Sequence, residues 1–318
     1  MTRYILNRSA QSVLVLFVVL SFVFVAGRMI GDPATLLLGP EASAADILRV
    51  RTQMGLEDPL WEQFTGFLAG AVTGDFGVTF RYGFAVPDVA SAEATGTPVL
   101  PLVLERLPAT FLLAATALIF AFVVAVTLGC LAAMRPRSIF DKLVNIVSLA
   151  GVSVVDFWLG FLLIMLFAVG LGWLPTSGFG GPAFLVLPAL ALAVRPIGRV
   201  TQLMRSAMMD ELSKPYIDAL RAKGFSETRI VFGHALKNAF IPVVTVMGDE
   251  TLQILQGAVV IEVVFAWPGI GSLLVTALST RDLPLVEACV FILALTAITV
   301  NLIVDLIYTQ LDPRVRFS

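Results

Sequence analysis

Three carboxylates, Asp156, Asp249 and Glu250, stand in sequence that is otherwise apolar. A charge inside a hydrocarbon layer is expensive, and it is retained where it faces a protein interior, a partner cation or a water-filled path. Counted from Ala239, Asp249 lies ~15 Å along a helix that rises 1.5 Å per residue, near the middle of a bilayer. The chemistry available to such a group is electrostatic selection. Asp249, with Glu250, would line a translocation path and favour cationic groups such as a peptide amino terminus. The alternative is a structural hydrogen bond or a pair with Arg195 or Arg199. Asp156 is the third path-lining candidate, whereas Glu262, Glu287 and Asp305 fall nearer span ends and read as interfacial.

Other chemistry is poorly provided for. There is no HExxH, no GxSxG and no GxxxxGK[ST] phosphate loop, so the chain is not expected to bind or hydrolyse ATP or to act as an enzyme. His234 is the single histidine and reads as packing, with no metal expected. Cys130 and Cys289 both lie in apolar runs and read as small buried hydrophobes rather than as a disulfide or metal pair. Met204, Met208 and Met209 read as packing, and Trp158, Trp173 and Trp267 as an interfacial aromatic belt. Charge is close to balanced, with no basic block for nucleic acid.

The second constellation is polar and ordered. Ser213 can cap a helix with Pro215 in its first turn. Tyr216, Ala219, Leu220 and Lys223 then share a face, with small residues at Ala219 and Ala222 to let another surface approach. Gly224 suits the left-handed residue that ends a helix. Ser226 can cap a second helix, with Glu227 in its favourable first turn and Ile230, Val231, Ala235 and Leu236 directed toward the membrane. Pro242 tolerates the start of the next apolar segment. The expected product is a helix-turn-helix held at both ends, presented to a partner.

The elements that must carry these residues are membrane spans. The chain is 58% hydrophobic and only 14% charged, too little charge for the surface of a soluble domain of 318 residues. Bilayer-length apolar segments fall near 9–30, 107–133, 143–170, 183–205, 239–263 and 285–308. The first follows Arg3 and Arg8 and lacks a clear cleavage site, so it reads as a retained helix rather than a signal peptide. Six spans put both termini on one side. With the termini inside, fifteen Lys/Arg are cytoplasmic or at the inner span ends and six are external, which sets the termini in the cytoplasm.

The segment 31–105 is then a long external loop, with ten Asp/Glu against four Lys/Arg from Gly31 to Arg106. Short helices are expected over 44–54 and 60–72, a turn at Gly74-Asp75-Phe76-Gly77, and a flexible insertion over 87–101. No internal repeat of the kind that builds secondary transporters is visible.

These residues carry a resemblance. Tyr216-Ile217-x-x-x-Arg221-Ala222-Lys223-Gly224, His234-Ala235-Leu236-x-Asn238-Ala239 and Pro242 resemble the EAA loop of ATP-binding-cassette (ABC) importer permeases, in the version of the dipeptide, oligopeptide and nickel branch. Gly31-Asp32-Pro33-Ala34, Gly74-Asp75-Phe76-Gly77, Glu105-Arg106-Leu107-Pro108-Ala109-Thr110, Phe157-Trp158-Leu159-Gly160, Gly172-Trp173-Leu174-Pro175, Trp267-Pro268-Gly269-Ile270-Gly271 and Asp312-Pro313-Arg314-Val315-Arg316 extend the likeness over nearly the full length. The N-terminal loop favours the first permease of the usual pair. Three places depart from the pattern. Asp218-Ala219-Leu220 replaces a small residue, Asp156 precedes Phe157-Trp158, and Asp249-Glu250 interrupts the fifth span.

The resemblance implies an all-α polytopic membrane protein of six transmembrane helices, with the MetI-like ABC permease fold. Residues 1–30 would be the first span, 31–105 the external loop, 106–310 the permease core with its coupling loop at about 213–242, and 311–318 a cytoplasmic tail. It implies a subunit of an importer of di- or oligopeptides in the bacterial cytoplasmic (inner) membrane. Its partners would be a second permease, expected to be a different chain, two cytoplasmic ATPases that bind ATP and Mg, and an external solute-binding protein. The chain itself would need no cofactor. The coupling contact to the ATPase falls on Tyr216, Asp218, Ala219, Leu220, Arg221, Ala222, Lys223, Gly224 and Glu227. Nickel or another small solute is the alternative cargo. A self-sufficient secondary transporter is the alternative class, but it leaves the ordered loop unexplained.

Overall fold

The computed structural model describes residues 2–30, 34–35, 43–53, 56–79 and 97–311, and among them the regular elements are helices, with one isolated bridge between Val78 and Pro98. In chain order the helices are α1 (Thr2–Ile30), α2 (Ala44–Gln53), α3 (Leu60–Thr73), α4 (Val99–Met134), α5 (Ile139–Ser153) and α6 (Asp156–Leu163), the last continuing as a π-helix over Ile164–Gly170. There follow α7 (Pro182–Leu212), α8 (Pro215–Ala222), α9 (Glu227–Ile230), a π-turn at Val231–Ala235, α10 (Leu236–Val264), α11 (Ile270–Thr280) and α12 (Leu283–Leu311). Among the described residues, five segments are long and apolar enough to cross a membrane: Ala10–Arg28, α4, α7, Glu227–Val264 and Leu283–Leu306. The pair α5–α6 makes a sixth if counted as one span.

That pair corrects the expectation of one continuous span over 143–170. The chain bends by 108° between α5 and α6. Val154 and Val155 both adopt extended backbone, ψ 137° and 130°, before Asp156 starts α6. Two consecutive β-branched residues favour that conformation and interrupt the helix without any loss of hydrophobicity. The short helices expected over 44–54 and 60–72 are present as α2 and α3, whereas α11 was not anticipated.

The chain divides into two compact units. One comprises Met1–Pro108 and Gly269–Thr299, the other Ala109–Pro268 and Val300–Ser318. In the first, Phe24 of α1 meets Phe64 of α3 edge-on at 5.2 Å, and Phe76 meets Phe291 at 5.3 Å. The expected turn is present: Gly74 and Gly77 have φ of 79° and 73°, and the Gly77 N–H donates to the Asp75 carboxylate at 3.0 Å. The Thr79 hydroxyl donates to buried Asp282. Of the insertion expected over 87–101, residues 87–96 lie outside the described residues, and Val99, fully buried, already belongs to α4. The 312–316 motif also lies outside them.

In the second unit small residues let the helices approach closely. A Cβ on Gly129 of α4 would stand 2.7 Å from Met204 Cβ of α7, and one on Gly198 of α7 would stand 2.9 Å from a Val152 methyl of α5. Lipid gives apolar helices no hydrophobic reason to associate, so such close contacts carry the packing. Cys130, Met204 and Met208 are fully buried in this core, the packing role read for them. Trp267 departs from the belt expected for it. It is 2% exposed and its indole N–H donates to the Ala109 carbonyl at 2.9 Å, while Trp158 and Trp173 are exposed. Glu262 is buried and accepts from the Thr110 hydroxyl at 2.6 Å, so it is an internal rather than an interfacial carboxylate.

Candidate coupling loop and intramembrane polar cluster

The loop forms as a short helix, a turn and a second helix that runs on into α10. Pro215 occupies the first turn of α8, as expected, but Lys214 rather than Ser213 is its N-cap. Ser213 ends α7 instead, donating its hydroxyl to the Asp210 carbonyl at 2.7 Å. The turn is a complete Schellman motif. Gly224 has φ +81°, its N–H donates to the Arg221 carbonyl at 2.9 Å, and the Phe225 N–H reaches back to the Leu220 carbonyl at 3.3 Å. Ser226 stands at the N-cap of α9, without a side-chain cap bond.

The faces of α8 differ from the sequence reading. Ile217 is fully buried and, with half-buried Tyr216 and Leu220, forms the inward face. Asp218, Ala219, Arg221, Ala222, Lys223, Gly224 and Glu227 are exposed. Arg221 spans the turn, donating to Glu227 at 2.7 Å and to Asp218 at 3.1 Å. Its bond to Glu227 holds the guanidinium firmly protonated. Ion pairs this exposed contribute little stability, so their effect is to fix the shape of the outward face.

The residue that sequence reasoning missed is Glu211. It is 5% exposed, at the end of α7, and its carboxylate accepts from Tyr216 Oη at 2.7 Å, Asn238 Nδ2 at 2.8 Å and the Lys214 ammonium. One buried anion thus ties the end of α7 to α8 and to the start of α10. Burial, and after it the bond to Glu211, pushes the Tyr216 phenol above its usual range and keeps it a donor. The sequence signal was a carboxylate at a span end with Tyr five residues on, which period alone does not distinguish from an interfacial charge. His234 packs edge-on against Phe225 at 5.8 Å, the packing role read for it.

The path candidates are not gathered into one cluster of acids. Glu250 is 1% exposed and accepts from Arg199 at 2.9 Å. Asp249, one residue earlier, is exposed and has no hydrogen bond or ion pair among the described residues. Asp156 begins α6 in the electrostatic field of Arg195, and a Cβ on Gly257 would stand 3.2 Å from its Oδ2. Arg195 donates to Gln253. Two rungs therefore join α7 to α10, Arg195 to Gln253 and, one turn on, Arg199 to Glu250. Asp249, Gln253 and Gly257 recur every four residues on one face of α10, while Val243, Met247, Glu250, Ile254 and Ala258 are buried on another.

Comparison with known proteins covers both parts of the chain. The family described as binding-protein-dependent transport system inner membrane component matches residues 125–317. The corresponding N-terminal family matches residues 1–114. The oligopeptide transport system permease protein AppB of Bacillus subtilis (strain 168) is 37% identical over 329 residues, with all of both chains covered. The glutathione transport system permease protein GsiC of Escherichia coli (strain K12) is 37% identical over 319 residues, again over the whole of both. Among solved structures, an amino acid ABC transporter aligns with a TM-score of 0.52 at 14% identity, over 66% of this chain and 94% of that one. The inward-facing MetNI methionine ABC transporter aligns at 0.51 and 19% identity, over 66% and 96%.

Proposed function

The chain belongs to the binding-protein-dependent inner-membrane permease family, as a non-catalytic, multi-pass subunit of an ABC importer whose separate ATPases bind the ATP, and from that premise we propose that it translocates short peptides. The cargo follows from the relatives, which are named for oligopeptides and glutathione. In this reading α5–α6 counts as one span, giving six. Both termini are cytoplasmic, residues 31–105 form the external loop, 106–310 the permease core and 311–318 the tail. The second permease is a different chain.

The observation that carries the coupling role is the construction of the loop. Asp218, Ala219, Ala222, Lys223 and Gly224 face outward on a helix too short to be stable alone. Ile217 within and the Glu211 clamp hold it in place. With Arg221 and Glu227 these residues make the docking surface for the ATPase, and inward-facing Tyr216 and Leu220 support it from beneath. Force applied there reaches α7 and α10 through Glu211, which suits rigid-body switching between inward- and outward-facing states. Copurification from the native membrane tests this. A cassette ATPase and a second permease should accompany the chain, and peptide-loaded binding protein should raise hydrolysis. Solute movement by the chain alone, without ATP, would point to a secondary transporter.

Asp249 lines the path in this reading, because a polar face on a spanning helix is not suited to lipid. Glu250 and Asp156 support it from within the protein, Glu250 through Arg199 and Asp156 beside Arg195. Asp249→Asn should shift uptake from cationic toward neutral and anionic peptides by roughly fivefold, about 1 kcal/mol of attraction. Competition among labelled peptides in vesicles measures it, and an unchanged preference returns Asp249 to a structural role.

A further inference from the structure

Arg195 differs from every other cation in the intramembrane cluster by its partner. Arg199, one turn away, is matched by a carboxylate, Glu250, at 2.9 Å. Arg195 instead donates to Gln253, a neutral amide, and makes no ion pair within bonding distance among the described residues. Its Nε is buried with no hydrogen-bond partner. Asp156 acts on it only through the field, from the start of α6 against Gly257. Nearby, the fully buried side of Glu250 keeps Oε2 without a donor. Guanidinium is the side chain best shaped for bidentate capture of a carboxylate, and in a low-dielectric setting such a bond is strong. A half-buried cation bonded to a neutral group, with its Nε buried and unpaired, is therefore prepared for an anion that the described residues do not place within bonding distance.

The same face of α10 carries the opposite charge. Asp249 is four residues before Gln253, so the two are about 6 Å apart along the axis. An extended dipeptide spans about 7 Å. We propose that Arg195 receives the terminal carboxylate of a short peptide in transit while Asp249 faces its terminal ammonium, so that this permease reads both ends of a zwitterion. The inference rests on the path-lining role of Asp249 given above and adds the residue that selects for a free carboxyl terminus. Gln253 is the positioning residue, since it holds the guanidinium without neutralising it. Glu250 keeps Arg199 occupied, leaving Arg195 as the available one of these two cations.

The test uses the whole importer in vesicles, with its ATPases and binding protein. The probes are dialanine and dialanine amide, which differ only in the terminal carboxylate. For each peptide, uptake by a variant is divided by uptake by the wild type, so the preference of the binding protein cancels. Arg195→Gln should lower dialanine uptake about tenfold and leave the amide within about twofold. Arg195→Lys should fall between, retaining charge but losing the planar fork. Gln253→Glu, which keeps the contact but places an anion on Arg195, should give the same selective loss and serves if Arg195→Gln is not recovered in the membrane. Equal loss of both peptides, or loss of the second permease on purification, assigns Arg195 to structure and overturns the proposal. So does unchanged uptake of both. If the wild-type complex moves neither peptide with ATP, the peptide-importer reading itself has failed, an outcome distinct from an intact importer that is indifferent to Arg195.

Discussion

Replacing Gly224 by leucine should abolish ATP-driven uptake while leaving the chain inserted at wild-type levels. Gly224 holds φ +81°, a conformation that costs an L-residue roughly 1–2 kcal/mol. A Cβ there would meet nothing within 4 Å of this chain, so the fold can absorb the side chain. What it cannot absorb is the change to the outward surface. The turn would carry a bulky apolar group just where Ala219 and Ala222 keep the helix low, and the Schellman geometry that fixes Phe225 against Leu220 would loosen. Asparagine tolerates the left-handed conformation and is small and polar, so Gly224→Asn should retain most uptake. Peptide uptake and stimulated ATP hydrolysis, normalised to inserted chain, separate the two variants. Normal transport by Gly224→Leu would remove the docking role from this turn.

Much of this arrangement is written in the sequence because its causes are local. Gly224, Pro215 and the acidic first turn at Glu227 announce the turn and the helices on either side, and apolar length announces the spans. The break at Val154-Val155 was hidden for the same reason that the spans were visible. Hydropathy does not distinguish an extended valine from a helical one. The short helix α11 was hidden similarly, being apolar but too short to cross.

Partnerships across the fold are harder still. A charge in a span signals that something must compensate it, and Arg199 was a named alternative for the Asp249-Glu250 pair, but sequence order does not say which acid turns inward. The helical period separates adjacent residues by about 100°, so only one of Asp249 and Glu250 can face Arg199. It is Glu250, and Asp249 is left on the polar face. Glu211 was missed because its three donors come from positions 214, 216 and 238.

The largest loss of stability should follow Asp141→Ala. Asp141 is 3% exposed in the first turn of α5, and its N–H donates to the Ser138 hydroxyl at 3.1 Å, which caps the helix. Its carboxylate accepts from Arg205 Nη2 at 2.8 Å, a second bond from the same guanidinium, and the Arg137 N–H at 2.8 Å. That last contact holds Arg137 at φ +64°, a conformation it would not adopt unaided. Alanine leaves Arg205 without its anion on a spanning helix and releases the turn between α4 and α5. Removing one partner of a fully buried pair costs about 3–5 kcal/mol because the other charge is stranded, and with Arg205 24% exposed the lower end of that range applies. At about 2–4 °C per kcal/mol, the thermal midpoint in detergent should fall by roughly 10 °C. Pairing Asp141→Ala with Arg205→Met should recover a good part of the loss, since an apolar side chain needs no counter-charge in that position. A double variant as unstable as the single one would show that the strained turn at Arg137, and not the stranded guanidinium, is what Asp141 holds in place.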